Sequence, residues 1–220
     1  MSGLVVGAQV APGAPLADAL AARVAALLAD PPAHGRRVLG VAGAPGAGKS
    51  TLGAQVLAAF PDRVALVPMD GFHLAQAELE RLGRAARKGA PDTFDAAGFV
   101  ALLRRLRTED GTVYAPEYRR DLRHGITGAI PVPPGRLVVT EGNYLLLDAA
   151  GFGPVADLLD ESWFVAPDDE VRLARLIARH ERFGKDPAAA RAWSTGPDES
   201  NARVIAATRP RADVEVIPAG

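Results

Sequence analysis

The sequence predicts an α/β fold in which a mostly parallel β-sheet is covered by helices on both faces. Short apolar runs alternate along the chain with longer stretches whose apolar residues recur at helical spacing. This alternation is typical of parallel sheets, because a crossover helix must join each strand to the next. A length of 220 residues suits one such domain with a lid. We therefore expect a single domain over residues 1–220, with a lid near residues 168–199.

The first half of the chain contains two predicted strands separated by helices. Residues 16–28 show helical spacing and are followed by two prolines, which predicts an amphipathic helix packed ahead of the first strand. Residues 37–42 form an apolar run that predicts the first strand, and residues 50–60 the helix after it. Residues 64–68 are rich in valine and predict a second buried strand. Two more helices are expected within residues 74–107, separated by a turn-forming KGAP segment.

The second half repeats the alternation after a polar segment. Residues 112–134 are short, polar and rich in turn residues, and no regular element is predicted there. Residues 136–140 (RLVVT) and 162–165 predict two further buried strands. Residues 168–183 predict a helix with an arginine-rich face.

The C-terminal part is predicted to complete the sheet. The composition of residues 184–197, rich in glycine, proline and alanine, indicates the most mobile segment of the chain. Residues 200–208 predict a helix and residues 214–217 the last strand. Because ligands of such sheets gather beyond the carboxyl ends of the strands, residues that follow strands are the candidate site residues.

The most informative motif lies between the first strand and the helix after it. Residues 43–50 read GAPGAGKS, which fits the phosphate-binding pattern GxxxxGKS. Its glycines allow successive backbone N–H groups to converge on one anion at the start of a helix. The lysine adds a full positive charge, and the serine hydroxyl is a hard oxygen suited to Mg2+. The residues expected to hold the triphosphate are Gly43, Ala44, Pro45, Gly46, Ala47, Gly48, Lys49, Ser50 and Thr51.

Composition excludes several other functions. There is no cysteine, so disulfides, thiolate catalysis and cysteine zinc sites are excluded. The net charge of −1 gives no reason to expect nucleic acid or a membrane surface as a partner. The N-terminus lacks the pattern of a signal peptide, so we expect a cytoplasmic protein. Lysine occurs only at positions 49, 88 and 185, in a chain that otherwise uses arginine.

Two carboxylates follow predicted strands and are candidates for phosphoryl-transfer chemistry. Asp70 begins the sequence DGFH after the second strand and is the candidate general base, although an aspartate before glycine is also a common turn residue. Glu141 follows RLVVT, where it could hold Mg2+ with Ser50, directly or through water, or act only as a capping or surface carboxylate. Phosphoryl transfer needs such groups around an acceptor hydroxyl.

A row of arginines is predicted on the helix at 168–183. Arg172, Arg175 and Arg179 are spaced so that they share one face. Such a row is often only a solvated face, but next to a phosphate loop it suggests a lid that reaches the transferred group. We expect Arg172 to contact the nucleotide and the other two to act in catalysis with Lys49.

These motifs, with RKGAPDTFD at 87–95 and VVTEGNYLLL at 138–147, resemble the P-loop kinases of uridine kinase, pantothenate kinase and phosphoribulokinase type. In overall appearance the chain is most similar to bacterial nucleoside/nucleotide kinase family proteins, some of them described as fructose-transport-system kinases. The similarity covers about residues 35–217, and the order of the motifs is more specific than any single one.

The resemblance implies a three-layer P-loop NTPase fold with a helical lid, and ATP and Mg2+ as cofactors. It implies that Asp70 is the base, Glu141 the acidic group beside the metal, and Lys88 a substrate contact. It also places the loop before the last strand near adenine, which makes Arg209 and Pro210 candidate nucleotide contacts. The residues expected to line the acceptor pocket are Asp70, His73, Lys88, Tyr118, Arg119, Glu141 and Asn143.

The sequence leaves the acceptor open. We expect an ATP-dependent kinase for the hydroxyl group of a nucleoside, a pantothenate-like alcohol or a sugar. The alternatives are a regulatory ATPase or switch without such an acceptor, and a binding module that keeps the phosphate loop for stability. A guanine-reading NKxD pattern is not found, which favours adenine. A homodimer is left open.

Overall fold

The fold is taken from a computed structural model, which describes residues 3–122 and 124–219. Its strands are β1 (Leu4–Ala8), β2 (Val38–Ala42), β3 (Val64–Leu66), β4 (Val113–Arg119), β5 (His124–Val132), β6 (Leu137–Gly142), β7 (Glu161–Val165) and β8 (Val214–Pro218). Its α-helices are α1 (Asp18–Ala29), α2 (Lys49–Ala59), α3 (Gln76–Arg81), α4 (Ala96–Thr108), α5 (Asp169–Arg182), α6 (Pro187–Thr195) and α7 (Pro197–Ala206). Every helix in these ranges is too short or too polar to cross a bilayer.

Six strands form one sheet in the order β1-β8-β7-β2-β6-β3. All neighbouring strands in it are parallel, which confirms the predicted α/β class. β2 lies in the middle of the sheet and is buried along its whole length. The carboxyl ends of β2 and β6 therefore meet at one edge, since Ala42 is paired with Gly142. The phosphate loop and Glu141 lie at that edge.

The sheet separates two hydrophobic cores. On one face, Leu39 and Val41 of β2 belong to the core that includes side chains of α1 and α2. On the other face, Val38 and Ala42 belong to the core that includes side chains of α4 and α7. Side chains of a strand alternate between its two faces, so a continuous apolar run can serve both cores. This arrangement gives the three layers that the sequence predicted.

The prediction that residues 112–134 contain no regular element is wrong. β4 and β5 form an antiparallel hairpin there, with an irregular register between Ala115 and Glu117. The hairpin is largely exposed and contains glycines and prolines, which weaken the strand signal. It packs on the turn that carries Asp70, where a Cβ at Gly71 would lie 2.4 Å from the carbonyl oxygen of Pro116.

Two further elements were missed. β1 extends the sheet by pairing with β8, and α6 occupies most of the segment predicted to be mobile. α6 has a recognisable start, because the Asp186 side chain accepts a hydrogen bond from the backbone N–H of Ala189 and Pro187 is the first helical residue. With α5 and α7, it occupies the region near residues 168–199 for which a lid was expected, and the role of these helices as a lid stays a prediction.

A buried arginine joins the hairpin to the rest of the domain. Arg36, just before β2, is 2% exposed. Its guanidinium donates to the carbonyl oxygens of Glu109 after α4 and Val132 of β5, each at 2.8 Å. It also donates to the carbonyl oxygen of Pro133 at 3.0 Å. Burial lowers the pKa of Arg36, but these acceptors satisfy the charge. The base of the hairpin is thereby held against β2.

Candidate active site

The phosphate loop connects β2 to α2, as predicted. Its three glycines all have positive φ angles, of 150° at Gly43, 83° at Gly46 and 104° at Gly48. At Gly46, a Cβ would lie 2.6 Å from the carbonyl oxygen of Arg172 in α5. The loop therefore needs glycine for two reasons at this position, which are its left-handed backbone and the close approach of the lid helix.

Lys49 begins α2 and is only 8% exposed. Its ammonium donates to the carbonyl oxygens of Gly43 at 2.9 Å and Ala44 at 3.1 Å, and to Oδ1 of Asn143 at 2.7 Å. Burial lowers the pKa of Lys49 to about 8, although the carboxylates of Glu141 and Asp70 oppose that shift. The ammonium is thus held at the mouth of the loop and poorly neutralised, which suits it to a phosphate.

Ser50 and Glu141 come together at the neighbouring strand ends. The Ser50 hydroxyl donates to Oε1 of Glu141 at 2.8 Å. Burial raises the pKa of Glu141 and the Asp70 carboxylate raises it further, whereas the Lys49 ammonium lowers it. Within the described ranges, no cluster of three acidic or histidine side chains could hold a metal ion by itself. A hydroxyl and one carboxylate fit Mg2+ that takes its other oxygens from phosphates and water.

Asp70 lies in a single 3₁₀ turn, Met69–Phe72, just after β3. Its side chain is 34% exposed and faces Arg120, whose Nη2 is 3.8 Å from Oδ2. Nδ1 of His73 donates a hydrogen bond to the backbone carbonyl oxygen of Asp70 at 2.9 Å and lies 3.9 Å from the Asp70 carboxylate. Asp70 lines a cavity of about 260 Å³ together with Lys49, Ser50 and Glu141. The carboxylate is thus accessible from the space beside the phosphate loop.

The three lid arginines have different positions on α5. Arg172 is 4% exposed and its guanidinium is bound to Asp169 at 2.9 Å and to Glu199 of α7 at 2.6 Å. Arg175 is exposed but lies near the loop, since its Nη1 would be 3.9 Å from a Cβ at Gly48. Arg179 lines the same cavity as Asp70. Burial lowers the pKa of Arg179, and so does the charge of Arg120.

The predicted acceptor residues are mostly brought together. His73, Lys88, Tyr118 and Asn143 all line the cavity. The ring of His73 lies between Phe94 and Tyr118, with centroid distances of 4.0 and 4.9 Å. The ammonium of Lys88 lies 5.5 Å from the Tyr118 ring centroid. Burial lowers the pKa of His73, so its neutral form is favoured.

The prediction that Arg119 lines the acceptor pocket is wrong. Its guanidinium binds Asp121 at 2.8 Å on the exposed side of the hairpin, and Arg120 lines the cavity instead. Neighbouring residues of a strand point to opposite sides, and the sequence did not reveal the strand that places Tyr118 inward. Arg209 and Pro210 are also outside the cavity: Arg209 pairs with Glu215 of β8. Their predicted contact with adenine stays a prediction.

The lid contributes residues that sequence reasoning missed. His180 of α5 and Asp198 of α7 both line the cavity, and Nε2 of the histidine is 2.7 Å from Oδ2 of the aspartate. Lys185 lies between α5 and α6, with its ammonium 4.6 Å from the ring centroid of Trp193. The rarity of lysine in the chain was the one signal that could have drawn attention to Lys185.

Comparison with known proteins identifies relatives for most of the chain. The model of the Phosphoribulokinase / Uridine kinase family matches residues 38–189. The "ATP-dependent kinase-like protein notR'" of Aspergillus versicolor is 38% identical over 152 residues, which cover 64% of this chain and 88% of that protein. The "Putative uridine kinase C227.14" of Schizosaccharomyces pombe is 37% identical over 159 residues, covering 67% of this chain and 68% of that protein.

A solved structure is similar over most of the chain. A protein described as a "putative fructose transport system kinase" from Silicibacter sp. TM1040 is 39% identical and superposes with a TM-score of 0.80. The match covers 90% of this chain and 97% of that one. The shared architecture therefore includes most of the elements that surround the cavity.

Proposed function

The chain belongs to the phosphoribulokinase / uridine kinase family, and from this membership and the site we propose that it transfers the γ-phosphoryl group of ATP to a hydroxyl group beside Asp70. Membership makes it an ATP-dependent small-molecule kinase. What we propose beyond this membership is the role of each site residue and the position of the acceptor. The observation that carries it is the cavity itself, which joins the phosphate loop to an accessible carboxylate and to Arg179.

The proposed step assigns one task to each group. Asp70 takes the proton of the acceptor hydroxyl while the oxygen of that hydroxyl forms a bond to the γ-phosphorus. The bond from that phosphorus to the bridging oxygen of ADP breaks, and negative charge moves to this oxygen. Lys49 and Arg179 lie where they can stabilise the transferred charge.

A magnesium ion would be held by Ser50 and Glu141, and when bound it would neutralise phosphate charge. The 2.8 Å hydrogen bond between these two residues supports this assignment, because it brings their oxygens next to each other. Asn143 keeps the Lys49 ammonium beside the loop through its 2.7 Å hydrogen bond. Arg172 supports the lid rather than the phosphates, since Asp169 and Glu199 already bind it.

An acceptor screen tests this function. Release of ADP is followed over nucleosides, pantothenate, ketoses and other polyols, and phosphorylated products are identified by mass spectrometry. We expect at least one hydroxyl compound to accelerate ADP release and to gain a phosphoryl group. Slow ATP hydrolysis that no compound accelerates would instead favour a regulatory ATPase. The variant Lys49→Met serves as the control for nucleotide binding, because it removes only the ammonium at the loop.

A further inference from the structure

The cavity beside Asp70 opens into a second and larger one. This outer cavity has a volume of about 800 Å³ and shares seven lining residues with the first, which are Lys88, Tyr118, Arg120, Arg179, His180, Lys185 and Trp193. The phosphate-loop residues Lys49 and Ser50 line only the inner cavity. The outer cavity therefore lies on the acceptor side of Asp70, and a molecule with its hydroxyl at that carboxylate would extend into it.

The lining of the outer cavity is strongly cationic. Its cationic side chains come from the segment before α4, the hairpin, the end of α5 and the loop after α5. They are Lys88, Arg120, Arg179, Arg182 and Lys185. Among the described residues that line it, the one carboxylate is that of Asp121, which is bound to Arg119 at 2.8 Å. The whole chain, by contrast, has a net charge of −1. Positive charge is thus concentrated where the two cavities meet, since every cation of this set except Arg182 also lines the inner cavity.

Ordinary structural roles do not account for this concentration. A cation in the last turn of α5, such as Arg182, is favoured by the helix dipole. Lys88 and Arg120 belong to other elements, so the dipole does not explain their convergence. Burial and the charge of Arg120 lower the pKa of Arg179, while the carboxylates of Asp70, Asp198 and Glu141 raise it. An anion beside the two guanidinium groups would offset the effect of Arg120.

Aromatic rings support the cations on this side. The Arg120 guanidinium lies 5.3 Å from the ring centroid of Phe183, and the Lys185 ammonium lies 4.6 Å from that of Trp193. Such contacts restrict the cations without neutralising them, and Arg120 in addition faces the Asp70 carboxylate at 3.8 Å. Phe183, which is 54% exposed, also lines the outer cavity.

We propose that the phosphoryl acceptor is itself an anion, an alcohol whose carboxylate or phosphate group binds in the outer cavity to Arg182, Lys185 and Lys88. This proposal rests on the proposed kinase function and specifies its substrate class. The negative group is held by the lid and by residue 88 while the hydroxyl reaches Asp70.

Acceptors matched in carbon skeleton test the proposal. Glycerol, glycerate and glycerol 3-phosphate form one set, and ribitol, ribonate and ribitol 5-phosphate form another. With ATP saturating, we expect kcat/KM for the anionic members to exceed that of the neutral member by at least tenfold. Comparison of the acid with the phosphate ester identifies which anion is preferred. Equal or better use of the neutral members would overturn the proposal.

The variant Arg182→Gln localises the effect. Loss of a charge-assisted hydrogen bond is expected to raise KM for an anionic acceptor about 10- to 100-fold and to change KM for its neutral counterpart little. Arg191→Gln is the matched control, because it removes one charge from an exposed residue of the lid that does not line either cavity. An equal effect of both variants would mean that only the overall charge matters.

A binding measurement separates this proposal from the kinase function. Calorimetric titration of the same six compounds is carried out with a non-hydrolysable ATP analogue bound. Tighter binding of the anions, weakened by Arg182→Gln, supports the anion site even if none of them is phosphorylated. Absence of any preference for the anions overturns it, even if a neutral alcohol proves to be a good acceptor and the kinase function stands.

Discussion

The substitution Asp70→Asn tests the chemistry of the site most directly. It preserves the shape of the side chain and removes only its ability to accept a proton at neutral pH. The His73 ring bonds to the backbone carbonyl of residue 70, at 2.9 Å, so this contact is retained. Among the residues that the structure describes, the carboxylate makes only long contacts, 3.8 Å to Arg120 and 3.9 Å to His73. Partly exposed pairs of this kind contribute about 1 kcal/mol or less to stability.

The expected changes in turnover and in ATP affinity follow from the role of Asp70 as a base and from the contacts of Lys49. Loss of a positioned base lowers turnover by about 100- to 10,000-fold, which corresponds to roughly 2.7 to 5.4 kcal/mol of activation free energy. The dissociation constant of ATP is expected to change by less than about threefold, since the hydrogen bonds of Lys49 go to Gly43, Ala44 and Asn143. The melting temperature is expected to stay close to that of the parent protein.

The assay measures ADP release at saturating ATP with the best acceptor of the screen, and ATP binding by calorimetry. Asp62→Asn is the control, since it makes the same change at an exposed residue that does not line the cavity. Turnover within about threefold of the parent protein would refute the assignment of Asp70 as base. A large loss of ATP affinity would instead show that Asp70 acts on the nucleotide.

Three further predictions concern the structure around the site. Gly46→Ala should lower the melting temperature and weaken ATP binding. The alanine Cβ would lie 2.6 Å from the Arg172 carbonyl oxygen, and the left-handed backbone would cost about a further 1–2 kcal/mol. Gly83→Ala, at a φ of 67° with nothing within 4 Å, measures the strain alone, and equal losses in both variants would exclude the lid contact. Arg36→Met should cost roughly 3 kcal/mol or more in urea unfolding, because buried carbonyl groups lose their donor, and a loss below about 1 kcal/mol would contradict this. The lowered pKa of His73 means that its contribution to stability is present above the ordinary value of 6.5 and is lost as the pH falls through the folded-state pKa. His73→Gln should therefore flatten the fall of melting temperature below pH 6.5, and an unchanged slope would show that other groups cause it.

Part of the site could be predicted because its determinants are local. The phosphate loop is contiguous, so its glycines, Lys49 and Ser50 are recognisable without any knowledge of the fold. Asp70 and Glu141 were found through a general property of parallel sheets, whose strand ends meet at one edge. The structure brings both carboxylates to the cavity of the loop. Their chemical roles stay predictions until the variants are measured.

Other parts depend on contacts between segments distant in sequence. The inward position of Arg120 depends on the β4–β5 hairpin, whose strands are too polar and too rich in glycine to be recognised locally. Arg172 fits the predicted helical row equally well, yet it binds Glu199 of another helix. Spacing places side chains on a face but does not reveal which partner covers that face.

The amino-acid sequence by itself determined the α/β class, the phosphate loop and the carboxylates at the strand ends, because helical and strand periodicity and glycine-rich turns are properties of short segments. Only the tertiary structure decided which cations surround the acceptor cavity and which are neutralised elsewhere. The physical reason is that electrostatic interactions act between side chains close in space, and the lid, the hairpin and residue 88 come together only when the chain has folded.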